Sequence, residues 1–505
     1  MARLRKTCRA IALASIFSST LALDACTRIQ QAVSSASNVY YPVDLVGNYT
    51  QDIAHWASSS TQLSACSVEP GTAADVSIIL QLLASTNTSF AVKGGGHTAN
   101  PGFSSTTGVH LSMARFSGVS YDASRATVTI GSGLVWDDVY EALEPYGVNV
   151  VGGRASGVGV AGFTLGGGYS WKTNQFGLTV DTITAFELVK PNGSIVSVTA
   201  SSEPDLFFGL KGGLNNFGIV TEFTLQTFPQ GQVWGGLLTY AANEIPAVSA
   251  AVARFAANVT DPKAGIVSSY KFILGELHNA DPRFQSHFKI YASQPLVAPI
   301  LFYDGPSPPA GIFDDFLAIP HLSEDVRTRS LLSLVQSASS NASSGATRRA
   351  FHTASLLEYS PTMIDAIFNE TIFWGTQLAL AGLISMSYDI EPFLPSIYTH
   401  STSPSAFPPR DANPPGYLPL NLHFAWTPST SDDLMHAALR QSAAHLTQVA
   451  MNEGQAIVDA PLYTNYALYD TALERIYGPN LPRLRRIKKE VDPGNVMGLA
   501  GGFKF

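Results

Sequence analysis

Residues 92–105 read VKGGGHTANPGFSS, and residues 152–171 read GGRASGVGVAGFTLGGGYSW. Glycine lets the backbone approach a ligand closely and aim successive N–H groups at an anion such as a pyrophosphate. One loop of this kind reads equally well as a tight turn. Two of this density point to a large phosphate-bearing cofactor. The strand-like SFAV at residues 89–92 runs straight into the first loop, so a turn follows it there.

Gly157, Gly159 and Gly162 also satisfy the spacing GxGxxG, and Asp181 follows at about the distance of a ribose-binding acid. That nicotinamide-type reading requires the glycines to open a regular helix. Gly166, Gly167 and Gly168 would lie inside it and cost roughly 1 kcal/mol each. The segment also sits deep in a mixed region, not at the start of a βαβ series.

Around the loops the elements alternate irregularly. Val76, Ile79, Leu80 and Leu83 recur at helical spacing between Thr72 and Ser85, as do Trp136, Val139, Tyr140 and Leu143. Residues 126–130, 148–151 and 218–228 read as strands, and TITAFELV and SIVSV flank a hairpin turn at Pro191-Asn192-Gly193. Beyond about Gln230 helix-compatible stretches alternate with Pro-rich loops, such as PLVAPILFYDGPSPPAG (295–311) and SPSAFPPRDANPPG (403–416). In NLHFAWTP, Leu422, Phe424 and Trp426 alternate with Asn421, His423 and Ala425, as in a half-buried strand. A basic helix is predicted in LPRLRRIKKEVDP near the end.

The chain has 505 residues, 45% of them hydrophobic, and a formal net charge of -8. That size calls for more than one core. The absence of long basic runs gives no footprint for nucleic acid or an anionic membrane. Arg3, Arg5, Lys6 and Arg9 precede an apolar stretch from Ala10 to Leu23, which reads as a signal peptide over residues 1–23. About fourteen residues are too few to cross a bilayer core of about 30 Å, so no membrane span is expected in the mature chain. Export leaves Cys26 and Cys66 as the only cysteines, and an oxidising compartment would join them. Sequons at Asn48, Asn87, Asn192, Asn258, Asn341 and Asn369 accord with a glycosylated, secreted protein.

The two glycine loops, together with LNNFGIVTEFTL (214–225), YTNYALYD (463–470) and YGPNLPRLRRIKKEVDPGNV (477–496), resemble the vanillyl-alcohol oxidase superfamily, and within it the berberine bridge enzyme-like branch, of fungal type. The resemblance implies an α+β fold in which a two-part FAD-binding domain of the PCMH type encloses an inserted substrate domain with an antiparallel sheet. The expected boundaries are an N-terminal segment at 24–57, the FAD-binding domain at 58–230, the substrate domain at 231–454 and a completing C-terminal segment at 455–505.

By the same resemblance FAD is covalently bound, through the imidazole of His97 to the 8α carbon of the flavin. Cofactor contacts are expected from Lys93, Gly94, Gly95, Gly96 and Thr98, and from Gly153, Ser156, Gly157, Gly159, Val160, Gly162, Phe163, Gly167, Gly168 and Tyr169. Ile219 and Val220 complete the set. Many members carry a second flavin link from a cysteine where this chain has Ala155, so a single link is expected. Phe176 stands where a related pattern has a tyrosine able to act as base, and phenylalanine cannot take a proton. The C-terminal segment, with Tyr463, Asn465 and Tyr466 as candidate catalytic residues, is therefore expected to face the substrate.

The implied activity is hydride transfer from a small organic substrate to the flavin in secondary-metabolite biosynthesis, with oxygen as the expected acceptor and a dehydrogenase using another acceptor as the alternative. An extracellular carbohydrate oxidase is an alternative. A secreted binding glycoprotein without catalysis is another, and its purified form would be colourless. No metal is expected.

Overall fold

Sequence order builds three large sheets in succession, and a fourth, two-stranded one pairs Val148–Asn149 with Phe228–Pro229. The computed structural model describes residues 22–43, 48–274, 294–337, 347–410 and 416–505. The expected signal peptide, apart from its last two residues, and the sequon at Asn341 lie outside the described residues.

The first sheet holds β1 (Asn38–Tyr40), β2 (Cys66–Glu69), β3 (Phe90–Lys93) and β4 (Val109–Ser112), in the order β1-β2-β4-β3 with β2, β4 and β3 parallel. Helix α1 (Ala73–Thr86) connects β2 to β3 and matches the predicted helix; the Thr72 side chain caps it by accepting the Asp75 N–H. Residues 22–32 are helical and carry Cys26, which is disulfide-bonded to Cys66 with Cα atoms 6.1 Å apart.

The second sheet is antiparallel throughout. It contains β5 (Val119–Asp122), β6 (Thr127–Gly131), β7 (Ile183–Val189), β8 (Ile195–Val198) and β9 (Ile219–Gln226) in the order β5-β6-β9-β7-β8. The predicted hairpin closes through Lys190 N–H to the Ser194 carbonyl at 2.8 Å, with Gly193 at φ +87°. Between β6 and β7 lie α2 (Trp136–Leu143) and the short α3 (Val160–Leu165). The GxGxxG segment thus does open a helix, contrary to the sequence argument, but one of six residues that ends at Gly166. Gly167 and Gly168 follow with φ of +120° and +85°, which a continuing helix could not accommodate. Asp181 accepts the Leu178 N–H and pairs with Arg410 at 2.8 Å, so it offers no ribose contact.

The third sheet has eight antiparallel strands, all between residues 233 and 426. Its main strands are β10 (Val233–Thr239), β11 (Ala264–Ile273), β12 (Gln294–Tyr303), β13 (Arg348–Leu356), β14 (Leu383–Ile390) and β15 (Leu418–Trp426), ordered β10-β12-β11-β14-β15-β13. Two short strands, Ser323–Glu324 and Arg327–Arg329, pair with β10. Strand β12 corrects the reading of residues 295–311 as a Pro-rich loop. Pro295 and Pro299 are tolerated because β10 pairs continuously only with residues 300–303.

One face of this sheet carries Tyr270, Phe272, Tyr388, Leu422, Phe424 and Trp426, buried against α4 (Ile245–Asn258), α5 (Pro361–Leu378) and α6 (Asp432–Asn452). After α6 the chain returns to the first part. Helix α7 (Leu481–Val491) buries Leu481, Leu484 and Ile487 in the cluster that holds Trp136, Phe186 and Phe223, each contributing about 2 kcal/mol.

Asp304, just past β12, anchors the third sheet to the segment after the second glycine loop. It takes an ion pair from buried Lys172 at 3.3 Å and amide hydrogen bonds from Gln175 at 2.8 Å and Gln230 at 2.9 Å. Asp304→Ala would strand the lysine, and we expect a loss of about 3 kcal/mol, read as a lower calorimetric unfolding midpoint. The Cys26–Cys66 bridge spans a sequence separation of 40, and its removal in Cys26→Ser should cost about 4 kcal/mol by loop-closure entropy, measured by chemical denaturation.

Candidate active site

The two glycine loops meet backbone to backbone. A Cβ added to Gly95 would lie 2.5 Å from the Gly159 Cα, and one on Gly159 would lie 2.5 Å from the Gly95 nitrogen. No side chain fits at either position. The second loop is docked further by Val160 N–H to the Leu134 carbonyl at 2.9 Å and Trp136 N–H to the Val158 carbonyl at 3.0 Å.

Above the loops opens a cavity of about 1340 Å³. Ordinary ligand pockets hold about 300–1,000 Å³, so a dinucleotide and a substrate can share this one. Gly94, Gly95, Gly96, His97, Thr98, Gly159, Gly162, Phe163, Ile219 and Val220 line it, as do Tyr463, Asn465 and Tyr466 and the Ala155 methyl. The other expected cofactor residues stand behind this wall. Lys93 donates to the carbonyls of Gln51 and Ala54 at 3.3 and 3.1 Å. Ser156 and the Gly157 N–H bind Asp137, the Gly153 carbonyl accepts from Tyr140, and Val160 is held as described. Gly167 and Gly168 shape the turn against Phe407 and Thr179, and the Tyr169 hydroxyl bonds that of Tyr398 at 2.8 Å. These residues build the loop and do not face the cavity.

The opposite wall is the second face of the third sheet. Ser269 and Lys271 of β11, Ser387 and Asp389 of β14, Asn421 and His423 of β15, and Arg349 and Phe351 of β13 all line the cavity. Register places Lys271, Ser387, His423 and Phe351 in one row across four strands. Burial, with Arg349 and Lys271 nearby, holds the His423 imidazole well below its usual pKa. Burial likewise lowers the Lys271 ammonium, against the attraction of Asp389.

Three distant parts of the chain meet at one corner. Arg154 pairs with Glu391 at 2.7 Å and donates to the Tyr466 hydroxyl at 2.9 Å, and that hydroxyl donates to Glu391 at 2.9 Å. Burial raises the Glu391 carboxyl above its usual pKa, opposed by the guanidinium. Burial also raises both tyrosines, Tyr463 to about 12 and Tyr466 well above the ordinary phenol value. The Tyr463 hydroxyl accepts from Asn465 at 3.0 Å, and the same amide donates to the Phe163 carbonyl, tying this segment to the glycine loop.

His97 stands at the loop end of the cavity with its ring stacked on Trp56, centroids 4.4 Å apart. Burial, then Arg349, depresses its pKa to about 4, so the imidazole is neutral and nucleophilic at physiological pH. Phe176, in contrast, stacks on Phe228 at 3.8 Å and does not line the cavity, so its missing hydroxyl has no bearing on the substrate side. Sequence reading missed Trp56, Arg154, Lys271, Arg349, Asp389 and Glu391. The one available signal was the alternation in β15, whose polar set of Asn421 and His423 faces the cavity instead of bulk water.

Comparison with known proteins agrees with this geometry. Residues 64–199 match the family described as FAD binding domain, and residues 462–500 match that described as berberine and berberine like. An uncharacterized FAD-linked oxidoreductase of Arthroderma benhamiae is 31% identical over 90% of each chain. The FAD-dependent monooxygenase drtC of Aspergillus calidoustus is 30% identical over 89% of this chain and 84% of its own. Among solved structures, 6-hydroxy-D-nicotine oxidase of Arthrobacter nicotinovorans superposes with a TM-score of 0.70 at 19% identity, covering 93% of this chain and 98% of its own. The BBE-like 1 protein of Physcomitrella patens gives 0.70 at 19% identity, over 94% and 97%. The paired glycine loops, the cavity above them and these relationships together make the chain a member of the berberine bridge enzyme-like family of FAD-linked oxidoreductases.

Proposed function

We propose that this protein is a secreted oxidase that carries FAD on a single covalent link to His97 and dehydrogenates a small organic molecule, with oxygen taking the electrons. The observation that carries the reading is the neutral His97 imidazole at one end of a cavity walled by glycine backbone on one side and a polar sheet face on the other. The residues present suit the cofactor: at Gly94, Gly95, Gly96, Gly159 and Gly162 the loops present backbone without a side chain to the cavity, and Gly162 has open space where a Cβ would be. Ala155 supplies no thiol for a second link.

When bound, the flavin supplies an acceptor for the hydride of a substrate C–H bond. The protein must then hold the substrate and take a proton. Tyr466 suits the second task better than Tyr463, because the Tyr466 hydroxyl donates to a carboxylate, whereas the Tyr463 hydroxyl is tied to the Asn465 amide. As Tyr466 accepts a proton from a substrate hydroxyl or amine, its own proton passes to Glu391, and Arg154 steadies the charge. Phe163, Phe351 and Trp171 give the cavity flat apolar walls, which favour a planar organic substrate over a sugar. Relatives named as FAD-dependent monooxygenases, several from filamentous fungi, agree with a place in secondary metabolism. Export is supported by the disulfide and by the exposure of Asn48, Asn87, Asn192, Asn258 and Asn369, the sequon asparagines among the described residues.

Acid precipitation of the purified protein should leave the yellow colour in the pellet, and peptide mapping should find the flavin mass on the His97 peptide. Flavin recovered wholly in the supernatant would remove the covalent link from this reading. With a turnover substrate found by peroxide screening, Glu391→Gln and Tyr466→Phe should each slow anaerobic flavin reduction by roughly 10²-fold or more. In the parent enzyme the rate should fall as pH drops through the raised Glu391 value, because the proton acceptor is the carboxylate; Glu391→Gln should abolish that limb.

A further inference from the structure

Trp56 belongs to the segment before the first glycine loop, yet it stands at the centre of the cavity's aromatic contacts. Its indole is stacked on His97 with centroids 4.4 Å apart and planes 14° from parallel. The Phe351 ring is parallel to it at 5.3 Å, and the Arg349 guanidinium lies over it at 4.4 Å. The backbone around it is pinned on both sides. Trp56 N–H donates to the Gly96 carbonyl at 3.0 Å, and Ser58 N–H donates to the Thr347 carbonyl at 2.9 Å beside β13. The indole is thus fixed against the glycine loop and the third sheet together.

We infer that Trp56 is the positioning residue for flavin attachment: its ring sets the plane of the His97 imidazole so that a ring nitrogen is aimed along the cavity at the cofactor's 8-methyl carbon. The inference rests on the proposed link to His97. The physical reason is the direction of the nucleophilic lone pair, which lies in the imidazole plane. A ring free to rotate about its side-chain bonds spreads that lone pair over many directions. A ring stacked face-on has its plane fixed. Arg349, on the same indole, disfavours the imidazolium that would have no lone pair to offer.

Attachment forms one nitrogen–carbon bond and breaks two bonds to hydrogen, the imidazole N–H and one C–H of the 8-methyl group. The two protons and two electrons released reduce the ring system of the same cofactor, and dioxygen then reoxidises it and leaves as hydrogen peroxide. Trp56 takes no part in these exchanges, and its contribution is orientation alone. A misplacement of about 1 Å can cost on the order of 10²-fold in rate.

The test uses the full chain made under flavin depletion and then supplied with FAD, for the parent and for Trp56→Phe, Trp56→Leu and His97→Ala. Reversibly bound FAD is read by absorbance, and attached FAD by the colour retained after acid denaturation. We expect the parent to attach FAD, Trp56→Phe to attach it more slowly, and Trp56→Leu to bind it reversibly but attach it at least about tenfold more slowly. Attachment in Trp56→Leu at the parental rate overturns the inference, as does a loss of reversible binding that matches the loss of attachment. If Trp56→Leu fails to fold, Trp56→Phe decides alone, and a rate equal to the parent's overturns the inference. No attachment in the parent sinks the underlying link to His97 and the inference with it, a result told apart by the parental arm.

Discussion

The close approach of Gly95 and Gly159 is the constraint on which the rest depends. Two loops separated in the chain by β4, β5, β6 and α2 meet backbone to backbone at these glycines, at a spacing that one methyl group would break. Their contact forms the floor of the cavity. It also aligns the first sheet, which delivers His97 from the end of β3, with the second, whose strands flank α2 and α3 in the chain. The third sheet is then lowered over this floor as a ceiling, held at its near end by the Asp304 contacts.

Polar groups are concentrated where the parts converge. Arg154 comes from the second loop, Glu391 from the end of β14 and Tyr466 from the returning C-terminal segment. Arg154 and Glu391 would not be stable in their places alone, because a buried charge without a partner costs several kcal/mol. The corner therefore joins assembly to chemistry, since the pair that supports the hydroxyl forms only when all three segments have docked.

Much of this is legible in the sequence. Helix α1 was visible in the spacing of Val76, Ile79, Leu80 and Leu83, because that signal is local. The hairpin at Asn192-Gly193 and strand β15 were visible for the same reason. Strand β12 was hidden by Pro295 and Pro299, whose tolerance depends on where a neighbouring strand stops pairing. Within the site, glycine density marked the loops and family likeness marked His97 and the C-terminal segment. Trp56 carried no signal, because a single aromatic in an irregular segment has no periodicity. Arg154 and Glu391 acquire meaning only from each other, and their contact spans most of the second and third sheets in sequence. Phe176 was misjudged in a different way: its chemistry was read correctly, but its place in space was assumed.

The two faces of the third sheet answer to different demands. Residues such as Phe272, Tyr388, Leu422 and Phe424 hold the sheet to its helices, while their immediate neighbours Lys271, Ser387, His423 and Phe351 look into the cavity. Because strand geometry alternates the two sets along most of each strand, replacement at the cavity positions leaves most of the packed layer untouched. A lineage carrying this fold can thus explore new substrates by drifting at every second residue of four strands while its thermal tolerance is inherited unchanged. Insertion or deletion of one residue within those strands exchanges the two faces at a stroke. Diversity in this ceiling should therefore accumulate as point replacements, with length variation confined to the connections between strands.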